Sequence, residues 1–187
     1  MIIGIHGKAR AGKDTFADML IGSSKCKTDN DFTKLAFADP VYEATSAMFG
    51  LDARSVEDKE AVIPEWGMSL RQMLQTVGTE IGRNMIAQDI WLKNMSMRMS
   101  RVASPHIIIS DVRFENEAHF IRERGGIMIF VERPNTQQVR QHVSEAGVAK
   151  DDKSITIHNE STLDSLQQIA DKFVIDLSKY PLEKHLI

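Results

Sequence analysis

Nine residues close to the start of the chain, Gly7 to Thr15 (GKARAGKDT), have the types and spacing of a site for phosphate. Gly7, Gly12 and Lys13 match the pattern G-x-x-x-x-G-K, in which successive backbone N–H groups point inward at a helix N-terminus and bind phosphate oxygens while the lysine reaches the moving phosphoryl group. Glycine is needed where the backbone bends sharply and comes close to the anion. Asp14 stands where Ser or Thr usually follows the lysine, so the hydroxyl that normally holds magnesium comes one residue late, at Thr15. For Asp14 two roles stand level: contact with the metal through water, or a first-turn acid favoured by the helix dipole.

Phosphoryl transfer asks for charge neutralisation and alignment more than for covalent catalysis, which directs attention to Asp and Arg at strand ends. Asp111 directly follows the apolar run His106 to Ser110, at the carboxyl edge where open α/β sheets bind ligands, and Arg113 comes two residues later. The plainer reading is a helix-capping Asp beside a solvated Arg. The segment Arg71 to Arg83 (RQMLQTVGTEIGR) has helical periodicity but contains Gly78 and Gly82. Each glycine costs about 1 kcal/mol in a helix, so a ligand contact is expected there. Arg71 could grip an acceptor phosphate bidentately, although periodicity alone makes Arg71 and Arg83 surface charges. Arg133 ends a strand, and Arg140 lies on the following helix with His142, in a segment able to close over a nucleotide. A solvated face explains Arg140 and His142 equally well. Asn159 precedes the last helix and either meets a base edge or caps that helix.

These residues need elements to hold them. Apolar runs of strand length occur at Met1 to His6, Thr33 to Phe37, His106 to Ser110 and Ile127 to Val131, without the alternation of a sheet with one wet face. Helical patterns lie between and after them: Phe16, Met19, Leu20; Val41, Ala44, Met48 behind Asp39-Pro40; Leu70, Met73, Leu74, Val77, Ile81; Phe114, Ala118, Ile121 stopped by Gly125-Gly126; Val139, Val143, Ala146; and Leu163, Leu166, Ile169, Ala170 opened by Ser161 and Thr162. Strands alternating with helices predict an α/β fold with a parallel sheet covered on both faces. A mostly helical stretch, about 40–101, interrupts the alternation and reads as an inserted lobe of a single 1–187 domain. Gly147 to Ser154 is the expected mobile loop, within a lid segment at about 133–154.

The composition bounds what such a domain does. A chain of 187 residues builds one sizeable core, and 23 basic against 26 acidic residues leave a formal charge of -3, with no long-range attraction for nucleic acid or anionic membrane. The single Cys26 excludes an internal disulfide and fits a reducing cytoplasm. No apolar run approaches the roughly 20 residues of a membrane span. A GTPase would need N-K-x-D and D-x-x-G motifs; Cys26-Lys27-Thr28-Asp29 lacks the Asn, and Asp111 is followed by no glycine in place.

Taken together, GIHGKARAGKDT, LAFADPVYEAT, SLRQMLQTVGTEIGR, QDIWLKNM, IIISDVRFENEA and IHNESTLDSLQQIAD resemble the bacteriophage deoxynucleoside monophosphate kinases, in order and over nearly the whole chain. The block R-Q-x-L-Q-x-x-G-T-E-x-G-R followed by D-I-W is the most specific part. The register Lys13-Asp14-Thr15 agrees, since monophosphate kinases commonly read G-K-x-T. The resemblance implies a three-layer P-loop kinase with a helical substrate lobe and a short lid. It implies magnesium-dependent transfer of the ATP γ-phosphate to a deoxynucleoside 5′-monophosphate in the supply of nucleotides for DNA synthesis, in the (host) cytoplasm. Carried over, Gly7, Ala9, Arg10, Ala11, Gly12, Lys13, Asp14 and Thr15 hold the ATP phosphates, and Asn159 lies near adenine. Asp39, Arg71, Thr79, Glu80, Arg83 and Trp91 form the acceptor site. Asp14, Thr15 and Asp111 attend the metal, and Lys13, Arg113, Arg133 and Arg140 attend the transferred group. Two alternatives remain open at this point: a P-loop kinase for another phosphorylated acceptor of the dephospho-coenzyme A or phosphomevalonate type, or a non-catalytic nucleotide-binding regulator. The Met-rich helical segment could also supply a homodimer face.

Overall fold

In a computed structural model that describes residues 1–27, 32–104, 106–134 and 147–179, the chain forms two compact units, Met1–Leu35 with 102–187 and Ala36–Arg101. The first is built on five parallel strands: β1 (Ile2–His6), β2 (Phe32–Leu35), β5 (His106–Val112), β6 (Ile127–Glu132) and β7 (Ile155–His158). They lie in the order β2-β5-β1-β6-β7, so β1 is central and the chain leaves it in opposite directions across the sheet. That reversal is the place where open α/β sheets bind ligands, beyond the carboxyl ends of the strands.

The expected apolar runs are strands because both of their faces are covered. Ile3 and Ile5 point into a core with Phe16, Ala17 and Leu20 of α1 (Lys13–Lys27) and Leu166, Ala170 and Val174 of α6 (Leu163–Lys179). Gly4 points the other way, where Ile121 of α5 (Glu115–Glu123) and Met128 fill the space a side chain would need. Burial of each large apolar side chain contributes about 1.5–3 kcal/mol, so the central strand is held from both layers. The predicted stop of α5 is present: Gly125 takes φ 69, and the Gly126 N–H donates to Ile121 O at 3.0 Å. Thr162 caps α6, its Oγ1 accepting from the Ser165 N–H at 3.2 Å.

The second unit holds α2 (Asp39–Phe49), a short hairpin of β3 (Val62–Ile63) and β4 (Met68–Ser69), α3 (Leu70–Gln75), a π-helix over Thr76–Ile86, and α4 (Ile90–Met99). Helix α3 starts in a capping box, with the Ser69 N–H on Gln72 Oε1 at 2.7 Å and the Gln72 N–H on Ser69 Oγ at 3.3 Å.

Gly147 to Ser154 is irregular, as expected of a loop, and it carries contacts to its neighbours. Val148 is buried, the Ala149 N–H donates to Glu115 Oε2 at 2.8 Å, Arg122 pairs with Asp151 at 2.9 Å, and Lys150 reaches Glu132 Oε1 at 2.7 Å. Its polar composition suits pinning to α5 and β6 as well as it suits solvent. Strand β7 was not among the expected strands: it is four residues long, at the sheet edge, and carries Thr156 and His158, so it offers no apolar run. The helix expected from Val139 to Ala146, with Arg140 and His142, lies outside the described residues.

Candidate active site

The loop Gly7 to Gly12 runs between the end of β1 and the start of α1. Gly7 passes so close to β6 that a Cβ there would lie 2.4 Å from Val131 O, and Gly12 takes φ 96. Arg10 adopts φ 62 without being glycine, a conformation that costs of order 1 kcal/mol or more and that gathers at ligand-binding loops. The Gly12 carbonyl accepts from the Phe16 N–H at 2.9 Å, starting α1 directly behind the loop. The positive end of the helix therefore faces the cradle.

Lys13 folds back over this loop, its ammonium donating to Lys8 O at 2.9 Å. Its pKa is pulled down, first by burial and then by the Arg113 charge, with Asp14 and Asp111 opposing. Of the residues expected to share a site in the first unit, Asp14, Asp111 and Arg113 thus all act on Lys13. A polyphosphate placed among them would relieve the repulsion between Lys13 and Arg113.

Strand β5 delivers Asp111 with a device the sequence did not announce. The register between β1 and β5 runs Gly4 to Ile109 and then His6 to Val112, so one extra residue bulges from β5 around Ser110 and Asp111. Bulges re-aim side chains beside active sites. This one is fastened from β1, where His6 Nδ1–H donates to Val112 O at 2.9 Å and the ring meets Phe130 edge-on at 5.3 Å. Burial pushes the His6 pKa down, which keeps the ring neutral and suited to that single donation.

Asp14 is neither a plain cap nor free. Its Oδ1 accepts from Ser110 Oγ at 3.0 Å and lies 3.5 Å from Lys34 Nζ, which also holds Asp18 at 2.8 Å. Burial lowers the Lys34 pKa, but the hydrogen bond it donates to Asp18 and the charges of Asp18 and Asp14 outweigh that, so the net shift is upward. Thr15 follows on the same turn and is exposed.

Sequence reasoning missed Glu117. It is 2% exposed, and its Oε2 accepts from the backbone N–H groups of Arg113, at 2.8 Å, and Phe114, at 3.1 Å. This carboxylate fixes the turn that presents Arg113. The acid three residues after the helix boundary was its available signal. Arg133 directly follows β6 and is exposed, and of the expected lid only 133–134 and 147–154 are described.

The expected acceptor residues occupy the second unit. Asp39 opens α2 and ties down the turn before it, Oδ2 accepting from the Ala36 N–H at 2.9 Å, while Oδ1 pairs with Arg54. Arg54 lies 4.8 Å from the centre of the Tyr42 ring, whose hydroxyl accepts from Lys59 Nζ at 2.7 Å. The Lys59 carbonyl in turn accepts from the Arg71 N–H at 2.9 Å, and the Arg71 guanidinium pairs with Glu60. Arg54 and Lys59 were not foreseen, because they act through Tyr42 and Asp39, 12 to 17 residues away in sequence. Beside them an open groove of about 530 Å³ is lined by Tyr42, Glu43, Ser46, Ala47, Asp52 and Arg54.

Thr79, Glu80 and Arg83 sit on the π-helix, a rare i→i+5 winding that is often found at functional sites; its end is marked by the Ala87 N–H on Gly82 O at 3.0 Å. The glycines there also have an intramolecular reason, beside the ligand contact expected of them. A Cβ on Gly78 would press on Val41 at 3.2 Å, and one on Gly82 would lie 2.6 Å from the Trp91 ring. Trp91 itself is 7% exposed and donates its indole N–H to Gly78 O at 2.7 Å. Its ring is spent on packing, so it shapes the π-helix from behind instead of offering a stacking face.

Among the described residues no three His, Cys, Asp or Glu side chains converge as a metal cluster, and no helix is long and apolar enough to cross a membrane.

A parallel sheet in this order, with a glycine-bearing loop joining its central strand to a helix, defines a P-loop kinase fold. The family model described as deoxynucleotide monophosphate kinase matches residues 52–169, and the chain belongs to that family. A protein of Acanthamoeba polyphaga mimivirus, provisionally named deoxynucleotide monophosphate kinase, is 32% identical over 166 residues, covering 78% of this chain and 80% of that protein. The deoxynucleoside-5′-monophosphate kinase of Escherichia phage T5 is 26% identical over 180 residues, covering 66% and 72%. The deoxynucleotide monophosphate kinase of Escherichia phage RB69 is 26% identical over 109 residues, covering 57% and 45%.

Proposed function

We propose that this chain transfers the γ-phosphoryl group of ATP to the 5′-phosphate of a deoxynucleoside monophosphate, giving the diphosphate and ADP. The observation that carries the reading is the cradle of Gly7 to Thr15 at the end of β1, in a member of a deoxynucleotide monophosphate kinase family. A phosphate oxygen of the acceptor attacks the γ-phosphorus, and the bond from that phosphorus to the bridging oxygen of ADP breaks. Because this transition state spreads charge over the phosphoryl oxygens, catalysis is mostly positioning and electrostatics.

In that reaction the loop N–H groups hold the triphosphate. Lys13 leaves Lys8 O and follows the transferred group, and Arg113 supports it from the turn fixed by Glu117. Arg133, and Arg140 beyond the described residues, are the remaining cations for the transferred group. Magnesium suits the donors present: the Thr15 hydroxyl and the Asp111 carboxylate are hard oxygen donors that would hold it. When bound it neutralises charge on the β- and γ-phosphates. Asp14, already engaged by Ser110 and Lys34, would act on the ion through water. In the acceptor unit, Arg71 and Arg83 bind the monophosphate, with Asp39, Thr79 and Glu80 around it and Trp91 holding their backbone. Arg54 and Lys59 add positive charge to the same unit.

The test is release of ADP from ATP and magnesium with a panel of deoxynucleoside monophosphates, dephospho-coenzyme A and phosphomevalonate. Turnover is expected with deoxynucleotides, and Lys13→Ala should cut it by orders of magnitude while the protein stays folded. Arg71→Lys should raise KM for the monophosphate and leave KM for ATP unchanged. No turnover with any deoxynucleotide would reject the reading.

A further inference from the structure

We infer that Asn159 is a positioning residue for the phosphate loop, acting on the loop backbone and not on the base of the nucleotide. The inference rests on the reading of Gly7 to Thr15 as the triphosphate cradle. Asn159 directly follows β7 and is tied there by its backbone, the N–H donating to Glu132 O at 2.7 Å, one step beyond the last β6–β7 pair. Its side chain crosses to the loop, where Nδ2–H donates to Ala11 O at 2.9 Å. The carbonyl only accepts, so the amide nitrogen must be the atom that faces it.

The next residue shows how closely the two are fitted. Gly12 has φ 96, and a Cβ there would stand 2.6 Å from Asn159 Nδ2, so the amide occupies the room that the glycine leaves. A loop that aims its N–H groups at an anion has to turn carbonyls away from it, and a carbonyl turned into the protein needs a donor. Ala11 is 1% exposed, and Asn159 is the donor it has found. Asn159 therefore couples the far edge of the sheet to the part of the cradle where Gly12 and Lys13 begin α1.

The experiment measures binding of ATP, and of magnesium tripolyphosphate, which has neither base nor sugar, to the full chain by titration calorimetry. Asn159→Ala is expected to weaken both by a similar factor, roughly tenfold, the scale of one lost hydrogen bond. Asn159→Ser, which keeps a shorter donor, should lie between wild type and Ala for both ligands. Hydrogen exchange in the ligand-free protein is a second readout: amides of 8–13 should exchange faster in Asn159→Ala while those of β5 stay unchanged. Loss of ATP affinity with tripolyphosphate binding intact would overturn the inference in favour of base contact, and unchanged binding of both would overturn it outright. If wild type binds neither ligand, the cradle reading itself fails.

Discussion

The Ser110 hydroxyl, at the bulged end of β5, donates to Asp14 Oδ1 at 3.0 Å, and Lys34 approaches the same oxygen at 3.5 Å. The acid that displaces the usual hydroxyl of the loop is thus held by the neighbouring strands, while Asp111 stands next to Ser110 on the bulge. The two acids are expected to differ in a magnesium titration of turnover at saturating ATP. Asp111→Asn should lower kcat by about a hundredfold or more, whereas Asp14→Asn and Ser110→Ala should shift the magnesium requirement by only a few-fold. Equal losses from Asp14→Asn and Asp111→Asn would make Asp14 a direct ligand.

Glu117 offers a prediction that separates positioning from folding. Glu117→Ala removes the acceptor for the Arg113 and Phe114 N–H groups and should cost about 2 kcal/mol, read by denaturant unfolding. Glu117→Gln keeps one acceptor oxygen and should cost less. In both, kcat should fall more than KM for ATP rises if Arg113 serves the moving charge, as proposed, more than the bound nucleotide. An unchanged kcat in a folded Glu117→Ala protein would remove Arg113 from that role.

Trp91→Phe deletes the N–H, leaving the Gly78 carbonyl without its donor, and shortens the ring that packs against Gly82. The expected cost is about 1–3 kcal/mol in thermal or denaturant unfolding. Gly82→Ala must displace the ring and should be destabilising by a similar amount. Both should raise KM for the monophosphate and leave ATP binding nearly unchanged, since the π-helix carries Thr79, Glu80 and Arg83.

Two histidines, half-buried His6 and buried His106, should give the stability a pH dependence. His6 and His106 both have pKa values lowered in the folded chain, mainly by burial. The unfolded state therefore binds protons first, and their contribution to stability is complete above the ordinary histidine pKa of about 6.5. It is lost as pH falls below that value and on through the folded pKa. Unfolding free energy should fall between pH 7 and pH 5, and His6→Gln should make the fall shallower. A slope unchanged in His6→Gln would assign the dependence to His106 and the carboxylates.

The legible parts of this protein were those written in contiguous residues. A strand buried on both faces has to be an unbroken apolar run, so β1, β5 and β6 could be read directly. A phosphate loop needs glycines at fixed offsets between a strand and a helix, and those offsets survive in Gly7, Gly12 and Lys13. The capping hydroxyl of Thr162 and the stop at Gly125-Gly126 are equally local. The helical periodicity of Arg71 to Arg83 is legible too, but not the wide winding that begins at Thr76.

What only the tertiary structure decided are pairings between residues far apart in the chain. Asn159 meets Ala11, Ser110 meets Asp14, Arg54 meets Asp39, and Arg122 pins a segment whose composition suggested a loop. A polar residue carries no periodic trace of its partner, since a hydrogen bond depends on where two backbones are brought together and not on spacing along one of them. The sequence by itself therefore determined the cradle, the sheet that carries it and the family. The packing of β5, β7 and Trp91 determined how Asp111, the loop and the π-helix are aimed, because aim is set by contacts that exist only once the chain has folded.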